Sequence, residues 1–351
     1  MLQPLYQVFI RNIDTNDLFE IPFISLGFTE ELNKGRDAKV SLDFKAAKAV
    51  ADAYNTDILF LFTSGLREIW IQKNNVKLYI GVISDFSIAK DDKGFLRIDL
   101  ASVGYLTLLS KRRTAEKREF SNTDAGQIAK TLIDESQLSD SPHSDLGITF
   151  GLISTSVTRD RTYRFDNIRD SVIRLSNENL NNGFDFDINN DKILNVYYPT
   201  KGTFKSNIIF DKGNIINYRF RKPLILSLTN QVYVIGEGFN DDVLFTKRTS
   251  PVEYREVFTL LEDVLSDSRD VKELTTLQDK GDRYLLENQS PRVGLEINHL
   301  DNNPDINSYE LGDEFMVNIP ELNITNERKR VYKRVFSIDT NSLTVVTITV
   351  R

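Results

Sequence analysis

The sequence predicts a mixed, β-rich fold in which two related small all-β barrels are combined with an α+β module and a helical insertion. Three observations support this prediction. Short segments rich in β-branched and aromatic residues dominate both ends of the chain. Helical patterns with capping residues occur in the middle. Strand segments near the C-terminus repeat those near the N-terminus, and 351 residues are enough to bury more than one core.

Residues 1–110 are predicted to form the first, tube-like β-barrel. Asn74-Asn75 and the KDDKG stretch from Lys90 to Gly94 mark turns, and the alanine-rich DFKAAKAVADAY predicts one short helix between strands. Short strands at this spacing are typical of a barrel or a sandwich. The strand segments, in order, are LYQVFIRNI, LFEIPFISLGFTEEL, AKVSLDF, DILFLFTSG, LREIWIQKNN, VKLYIGVISDFSI and FLRIDLASV.

Residues 111–205 are predicted to form a compact α+β module. Asp124 can cap a first helix, with Gln127 three residues later as in a capping box, and Asp166 signals a second helix. GFDFDINNDKILNVYYP then gives two alternating runs around an Asn-Asn-Asp turn, which predicts a β-hairpin. Apolar residues at helical spacing support both helices: Ile128, Leu132 and Ile133 in the first, and Ile168, Val172 and Leu175 in the second.

The second barrel is predicted from two separated stretches, residues 206–248 and 290–351, with a helical insertion at 249–289 between them. The strand segments are SNIIF, IINYRFRK, LILSLTNQVYVIGEG and DVLFTKR in the first stretch, and VGLEINHL, SYELGDEFMVNIP, RKRVYKRVFSIDT and SLTVVTITV in the second. The insertion has an apolar stripe that DSRD interrupts: Val257, Leu260, Leu261, Val264 and Leu265 before it, and Val271, Leu274 and Leu277 after it.

An internal repeat relates the two barrels. VSLDF (Val40 to Phe44) matches VGLEI (Val293 to Ile297), and LYIGVISDFSI (Leu78 to Ile88) matches VYKRVFSIDT (Val331 to Thr340). FLRIDLAS matches LTVVTITV, again in the same order. The matching segments are therefore always about 250 residues apart. Similar strand patterns also recur by chance in β proteins, but a constant offset favours a duplication.

Cysteine and histidine usage argues against several kinds of site. The absence of cysteine excludes disulfides, thiolate metal sites and a cysteine nucleophile. The two histidines are His143, in the turn-like SDSPHSD, and His299, at a strand end. Both are predicted to be surface residues, so histidine-based zinc sites and catalytic triads are disfavoured.

Charge and glycine patterns argue against nucleic-acid and nucleotide binding. The net charge of −7 does not suit a protein that grips nucleic acid. The basic run from Lys111 to Glu119 is interrupted by acids and predicts a solvated linker or a helix start, with phosphate binding as the alternative. GEGFND (Gly236 to Asp241) has Asp241 where a dinucleotide fingerprint needs glycine, so it predicts a bulge or a tight strand crossing.

Membrane and secretion signals are not found either. The longest apolar run, Ile58 to Phe62, has the length of a strand and not of a membrane span. The first residues lack the basic, apolar and small-residue pattern of a secretory signal. No integral membrane segment is therefore predicted.

The stretch NNGFDFDINNDK, Asn181 to Lys192, resembles a metal loop because acids and amides alternate along it from Asp185 to Asp191. A calcium loop of the helix-loop-helix type needs glycine at its sixth position and glutamate at its twelfth. Counted from Asp185 these positions hold Asn190 and Val196. The alternation instead predicts a half-buried strand of a hairpin. Its polar face, with Asp185, Asp187 and Asn189, would lie in water, and its apolar face would point inward: Phe184, Phe186 and Ile188.

We expect no enzymatic activity, and no catalytic, cofactor-binding or metal site. Many carboxylate pairs are possible among 51 acidic residues, but nothing singles out two of them for glycosidase chemistry. A glycosidase of this size would also carry more tryptophan for sugar stacking, and Trp70 is the only one, within a predicted strand.

Four segments, taken in order, carry a family resemblance. They are EELNKGRDAKVSLDF, LREIWIQKNNVKLYIGVISDFSI, YRFDNIRDSVIRLSNENLNNGFDFDI and LGDEFMV. They are similar to the opening barrel strand, the strand-turn-return unit, the middle domain and the second barrel of the baseplate hub (tail-tip hub) proteins of tailed bacteriophages. That family is related to the hubs of contractile injection systems and type VI secretion spikes. The resemblance covers most of the chain.

The resemblance implies a structural virion protein that forms a homotrimer. Two barrels in each of three chains supply six similar units, which match a hexameric tail tube on one side and a three-fold spike or fibre on the other. The expected partners are the tail tube or distal tail protein and a spike, fibre or other tail-tip protein. DNA would pass through the channel without sequence-specific binding, which an acidic chain suits.

The resemblance also implies a location, the phage tail tip or baseplate, with assembly in the host cytoplasm. Because the sequence ends directly after the final predicted strand, any spike, peptidase or lysozyme module is expected in a separate protein. Two other functions remain open: a hexameric distal tail ring protein with one tube-forming barrel, and a carbohydrate-binding or carbohydrate-processing tail protein.

Overall fold

The computed structural model describes residues 6–138, 144–177, 183–221, 228–238, 242–251, 259–266, 271, 273–288, 294–339 and 344–351. The chain divides into two compact units. Unit 1 comprises Met1–Tyr218 with Glu296–Val350, and unit 2 comprises Arg219–Leu295 with Arg351. Strands outnumber helices among the described residues, so the predicted mixed, β-rich class is confirmed.

The first part of unit 1 is a run of seven strands with three short helices. Its elements are β1 (Tyr6–Asn12), β2 (Leu18–Ile21), β3 (Ser25–Glu31), β4 (Asp37–Asp43), α1 (Phe44–Ala53), α2 (Ile58–Leu61), β5 (Arg67–Lys73), β6 (Val76–Lys90), β7 (Leu96–Val103) and α3 (Tyr105–Leu108). The predicted alanine-rich helix is α1. The Asp43 carboxylate caps it by accepting a hydrogen bond from the Ala46 backbone N at 2.8 Å.

The prediction of a strand in DILFLFTSG was wrong, because that segment contains α2. The Asp57 carboxylate accepts a hydrogen bond from the Leu59 backbone N at 2.7 Å and starts the helical turn. Leu61 and Phe62 are buried, whereas Phe60 is more than half exposed. A short apolar run does not distinguish a buried strand from a buried helical turn, and the cap decides between them here.

The α+β module follows in unit 1. It consists of β8 (Arg118–Asp124), α4 (Ala125–Gln137), β9 (Thr149–Phe150), β10 (Thr158–Tyr163), α5 (Ile168–Asn177), β11 (Asp185–Ile188) and β12 (Ile193–Tyr197). All six apolar residues predicted on the inner faces of α4 and α5 are buried. The basic run at 111–119 starts at Lys111, the last residue of a short 3-10 helix, and no helix begins in it before β8. The prediction of a linker is therefore confirmed, and the prediction of a helix start is wrong.

The two helices of the module are capped differently from each other. The predicted cap of α4 is confirmed, because the Asp124 carboxylate accepts hydrogen bonds from Gly126 N at 2.9 Å and Gln127 N at 3.2 Å. For α5 the prediction was one residue early. The Asn167 side-chain oxygen, and not Asp166, accepts the hydrogen bond from the first turn, from Asp170 N at 3.1 Å.

The rest of the chain contributes strands to both units. Its elements are β13 (Phe204–Phe210), β14 (Asn217–Arg221), β15 (Gln231–Ile235), β16 (Phe245–Thr249), β17 (Glu262–Leu265), α6 (Leu274–Asn288), β18 (Gly294–Leu300), β19 (Glu314–Ile319), β20 (Ile324–Asp339) and β21 (Val345–Val350).

One 13-stranded sheet joins strands from the beginning and the end of the chain. Its order is β14-β18-β21-β20-β3-β4-β7-β6-β5-β1-β2, with β19 paired to β20 and β13 paired to β19. The halves meet where β3 pairs antiparallel with β20, from Ser25 opposite Asp339 to Glu31 opposite Lys333. At this junction, Phe28 and Phe336 stack with their ring centroids 4.1 Å apart.

The strand order of the first half is repeated in the second half. The path β3-β4-β7-β6-β5-β1 corresponds to the path β14-β18-β21-β20-β19-β13. A bulge between Ile83 and Asp85 in β6 recurs between Val331 and Lys333 in β20, about 250 residues later. The halves differ at one end, because β1 is antiparallel to β5 whereas β13 is parallel to β19.

Unit 2 contains a three-stranded sheet of order β16-β15-β17, with α6 packed on it. The sequence assigns β15 and β16 to the second barrel, but the two strands pair with each other, and β15 pairs with β17 on its other side. The prediction of a helical stripe was wrong at Leu260, Leu261 and Val271, which lie in no helix. It was also wrong at Glu262–Leu265, which is strand β17 and pairs parallel with β15. Its later part is confirmed as α6, whose Leu277 is buried, whereas Val257 lies outside the described residues.

The glycines of GEGFND lie at a close crossing within unit 2. A Cβ atom added at Gly236 would lie 2.7 Å from the Val271 carbonyl oxygen. Gly238 has φ of +114°, which strongly favours glycine. The described part of this segment therefore fits the tight crossing, and residues 239–241 lie outside the described residues. No described helix is long and apolar enough to cross a membrane.

Candidate functional site: a charged junction around the hairpin

The stretch with alternating acids forms a β-hairpin, as predicted. Strands β11 and β12 pair antiparallel from Asp185 opposite Tyr197 to Ile188 opposite Leu194. The Asn189 side-chain oxygen closes the turn by accepting hydrogen bonds from the backbone N of the second and fourth residues that follow it, at 2.9 and 3.0 Å. Among the described residues, no group of three or more acidic, histidine or cysteine side chains is arranged to hold a metal ion.

The acids of strand β11, Asp185 and Asp187, do not face water, so that part of the prediction was wrong. Asp185 is only 6% exposed. Its carboxylate accepts hydrogen bonds from the Asn33 side-chain nitrogen at 2.9 Å and from the Lys201 backbone N at 2.8 Å. Asn33 in turn accepts a hydrogen bond from Phe186 N at 2.8 Å. The polar face of the strand is therefore covered by other parts of unit 1.

Arg330 of β20 joins the hairpin to the second half of the large sheet. It forms an ion pair with Asp185 and donates hydrogen bonds to the carbonyl oxygens of Gly312 at 3.0 Å and Lys201 at 2.9 Å. Burial alone would lower the pKa of Arg330, but the Asp185 charge outweighs it and raises that pKa. Arg330 therefore stays charged, and its ion pair with Asp185 holds the two segments together.

Lys201 forms the second link. Its Nζ lies 2.5 Å from Asp187 and 2.9 Å from Glu310, and the lysine is only 7% exposed. Burial would lower the pKa of Lys201, but Asp187 and then Glu310 raise it above its ordinary value. The lysine is thus a fixed cation between the hairpin and the loop that precedes β19.

A third group of charges lies where β3 meets β20. Glu30 is 3% exposed and forms an ion pair with Arg334, and it lies 3.7 Å from the Arg36 guanidinium. Burial would raise the pKa of Glu30, but the two arginines lower it below its ordinary range. Arg334 also donates hydrogen bonds to the carbonyl oxygens of Ile306 at 3.0 Å and Tyr309 at 2.7 Å.

The tip of the hairpin contacts the first half of the sheet. Arg36 donates a hydrogen bond to the Asn190 side-chain oxygen at 2.7 Å, and the Asn190 side-chain nitrogen donates to the Lys77 carbonyl at 2.9 Å. Lys77 also lies 3.1 Å from the Asp191 carboxylate. The hairpin thus contacts both halves of the sheet, and it does so mainly through polar groups.

Glu68 of β5 is the centre of a separate buried cluster on the first half. Its side chain is fully buried and forms ion pairs with Arg11 at 2.8 Å and Lys192 at 2.7 Å. Its carboxylate also accepts a hydrogen bond from the Trp70 indole N at 2.9 Å. Burial would raise the pKa of Glu68, but the hydrogen bonds from Lys192, Tyr105 and Arg11 lower it to about 2. Trp70, which the sequence places in a strand, therefore donates a hydrogen bond to the carboxylate at the centre of these ion pairs.

A cavity of about 340 Å³ lies among these groups in unit 1. Charged side chains of the second link and of the third group line it: Glu30, Arg36, Asp187, Lys201, Glu310 and Arg334. Each of these six is in an ion pair with another of them. A catalytic acid or base needs a pKa near the working pH, whereas Glu30 and Lys201 are shifted away from neutrality. The arrangement is therefore suited to holding segments together rather than to proton transfer.

His299 is not a surface residue, so that prediction was also wrong. It is fully buried in β18. Nδ1 donates a hydrogen bond to the Leu300 carbonyl at 2.6 Å, and Nε2 accepts one from the Tyr309 hydroxyl at 2.7 Å. Burial lowers the pKa of His299 to about 4, so the ring is neutral at physiological pH. The alternation of buried Leu295 and Ile297 in β18 could have predicted this burial. His143 lies outside the described residues.

Comparison with known proteins finds likeness in structure only. No protein-family model and no curated protein matches the sequence. A tail protein of Neisseria meningitidis MC58 is 12% identical, with a TM-score of 0.66 over 98% of this chain and 96% of that one. The 43 kDa tail protein of prophage MuSo2 from Shewanella oneidensis is 11% identical, with a TM-score of 0.66 over 99% and 98%.

A third similar structure comes from a secretion system. An E. coli component of the type VI secretion system, itself described as similar to the T4 tail proteins gp27 and gp5, is 11% identical to this chain. Its TM-score is 0.56 over 97% of this chain and 76% of that one. The chain therefore shares the fold of these three structures. Of the three, the two matched along nearly their whole length are both described as tail proteins, and the resemblance seen in the sequence is confirmed at the level of fold.

Proposed function

We propose that this chain is a structural, non-enzymatic subunit of a phage tail: a homotrimeric baseplate or tail-tip hub that adapts a six-fold tail tube to a three-fold spike or fibre. The observation that carries the proposal is the repeated strand order within one chain. The shared fold with two tail proteins, one of them from a prophage, and with a type VI secretion component supports it.

The repeat supports this function through symmetry. Closed assemblies of identical chains have rotational symmetry, so three chains alone present three equivalent surfaces. Two similar barrels in each chain, the division proposed from the sequence, would present six. A three-chain ring could then contact a hexameric tube on one face and a trimeric spike on the other. The charged junction around the hairpin would keep the two halves of each chain in one fixed arrangement.

Partners and location follow from the same proposal. The hub would bind the tail tube or distal tail protein on one side and a spike, fibre or other tail-tip protein on the other, in the virion. DNA would pass through the ring without sequence-specific contacts, which fits a net charge of −7. Assembly would take place in the host cytoplasm.

Native mass spectrometry of the purified chain tests the oligomeric state, and cryo-EM of the intact particle tests its position. We expect three copies in one ring at the tail tip, with two barrel layers related by pseudo-six-fold symmetry. Six copies with one barrel each in the ring would instead support a distal tail ring protein. Binding on a glycan array, or cleavage of host polysaccharide by the isolated chain, would support the carbohydrate function and contradict a purely structural role.

A further inference from the structure

The turn between β10 and α5 presents an aromatic side chain to solvent. Phe165 is 65% exposed, and its backbone has φ of +58°. Left-handed backbone is costly for a bulky side chain and much less costly for glycine or asparagine. Most of the non-glycine residues with positive φ in the described part of the chain are asparagine, and Phe165 is the only aromatic residue among them. A turn selected for stability alone would carry asparagine here, so the exposed ring indicates another use.

Hydrogen bonds on both sides of Phe165 hold its backbone in this conformation. The Thr114 carbonyl oxygen accepts a hydrogen bond from Phe165 N at 2.9 Å, and Thr114 N donates one to the Asp166 carbonyl oxygen at 3.1 Å. The Thr114 hydroxyl accepts a further hydrogen bond from Asp166 N at 2.9 Å, and the Asp166 carboxylate accepts one from Arg164 N at 2.8 Å. The surrounding structure therefore maintains the strained turn and presents the ring.

Positive charges without an acidic partner lie beside the ring. The Arg164 guanidinium carbon is 5.3 Å from the centroid of the Phe165 ring. Arg113 precedes Thr114 in the segment that holds the turn, and Lys111 lies two residues before it. Lys111, Arg113 and Arg164 are all exposed, and none of the three forms an ion pair with a described residue. Although the net charge of the chain is −7, this surface has a surplus of positive charge.

The acids close to this surface in the sequence do not neutralise it, because each has another arginine as its partner. These ion pairs are Asp166 with Arg174 at 3.2 Å, Asp170 with Arg169 at 3.0 Å and Glu116 with Arg118 at 3.5 Å. The positive surplus around the ring is therefore available to a negatively charged partner.

We propose that Phe165, together with Lys111, Arg113 and Arg164, forms a docking surface for an acidic segment of another protein that carries an aromatic side chain. The acids of that segment would pair with the three cations, and its aromatic side chain would pack on the Phe165 ring. Aromatic and arginine side chains are enriched among the residues that carry the binding energy of protein interfaces. The docking surface does not depend on the proposed trimer, because all four residues belong to one chain.

A nucleic acid fits this surface less well than an acidic protein segment. Proteins that bind single strands stack successive bases on aromatic side chains along a basic groove. In this turn Tyr163 is buried, and only the Phe165 ring is exposed. A long polyanion would also be repelled by the net charge of −7.

Peptide binding to the full chain, measured by fluorescence anisotropy at low ionic strength, tests the docking surface. The probe is a labelled short peptide of aspartate and glutamate with one central tryptophan. One control peptide has alanine in place of the tryptophan, and another has lysine in place of the acids. We expect the probe to bind about tenfold or more tightly than either control, because it alone offers both the charges and the ring.

Phe165→Asn separates binding from folding. Asparagine adopts left-handed backbone more easily than phenylalanine, so the Tm of this variant should equal or exceed that of the wild type. Its affinity for the probe should fall about tenfold or more, because the ring is lost. Phe95→Asn is the matched control, because Phe95 is also exposed, at 46%, and its loss should leave the affinity unchanged. A lower Tm of Phe165→Asn would show that the ring is structural and would contradict the proposal.

Charge variants test the cations separately. Arg113→Gln and Arg164→Gln are each expected to weaken binding of the probe about threefold, an effect that added salt removes. Arg97→Gln is the control, because Arg97 is exposed and already paired with Asp99 at 2.9 Å, and it should leave the affinity unchanged. An equal loss in all three variants would show unspecific charge attraction and would contradict the proposal.

The remaining outcomes also decide the question. A probe that does not bind, or that binds no better than its alanine control, overturns the docking surface and leaves the proposed hub untouched. An oligothymidine of matched charge that binds more tightly than the probe, with the same loss in Phe165→Asn, would assign the surface to nucleic acid and overturn the protein partner.

Discussion

Single buried charges stabilise the contacts of the hairpin, and each is compensated by a specific partner. Asp185, Lys201 and Glu30 are all less than a tenth exposed, and each forms an ion pair with a residue distant in the sequence. Such pairs contribute little net stability compared with apolar packing, but removing one partner leaves an uncompensated buried charge. At this scale the junction is therefore sensitive to the loss of one charge.

Asp185→Asn is expected to lower the free energy of unfolding by about 2–3 kcal/mol, because Arg330 would lose its counter-charge in a mostly buried place. Urea denaturation followed by fluorescence measures the change. Asp191→Asn, at the exposed tip of the same hairpin, is the matched control and should change the stability by less than about 0.5 kcal/mol. Equal effects of the two substitutions would show that burial of Asp185 is unimportant.

The lowered pKa of Glu68 leads us to predict that the stability of the fold depends on pH. Its folded-state pKa is about 2, below the ordinary carboxyl value of 4.5. A carboxyl group with a lowered pKa stabilises the fold above the unfolded-state pKa, and this contribution is lost as the pH falls through the folded-state pKa. Wild-type stability should therefore decrease between about pH 4.5 and 2, and Glu68→Gln should decrease less over that window. Thermal melts at stepped pH measure it, and identical slopes would contradict the assignment.

At the scale of elements, polar caps and turns determine where helices and hairpins begin. Asp124 is the clearest example, because its carboxylate caps α4 and also accepts a hydrogen bond from Thr155 N at 2.9 Å. One side chain thus connects the start of a helix to a loop about 30 residues further along the chain. The hairpin turn is closed in a similar way by Asn189.

Asp124→Ala is expected to destabilise the α+β module by about 1–2 kcal/mol, because the first turn of α4 and the Thr155 amide lose their acceptor. Hydrogen exchange should show faster exchange in α4 first. Asp134→Ala in the same helix removes only an ion pair with Lys130 at 3.6 Å and should cost less than about 0.5 kcal/mol. Unchanged exchange in α4 of the Asp124 variant would contradict the capping role.

At the scale of the whole molecule, unit 1 depends on one strand pairing between the two ends of the chain. Strands β3 and β20 make the large sheet continuous, and Phe28 stacked on Phe336 lies at that junction. Both rings are almost fully buried. The two halves of the repeat should therefore unfold together rather than separately.

Phe336→Ala is expected to lower the free energy of unfolding by about 3–5 kcal/mol, because it leaves a cavity beside Phe28. Hydrogen exchange should accelerate in β3 and β4 as well as in β20 and β21. Phe95→Ala is the control, because Phe95 is 46% exposed and its loss should have little effect. Acceleration confined to β20 and β21 would show that the halves are independent.

Local patterns predicted much of the fold correctly. The inner faces of α4 and α5, the cap at Asp124 and the hairpin at 185–197 were all predicted from residues a few positions apart. The repeat was also visible, because it compares strand patterns along the chain. Predictions failed where one short apolar run fits two structures, as in α2 and β17, or where burial depends on distant residues. The domain boundaries given by the sequence remain predictions.

The sequence by itself determined the β-rich class, the start of α4 at Asp124 and the exclusion of disulfides, because these depend on composition and on neighbours within one or two turns. Only the tertiary structure decided that Asp185 and His299 are buried, since their partners Arg330 and Tyr309 come from other segments. It also decided the order of the strands in the large sheet, because the neighbours of a strand come from other segments and not from its own residues.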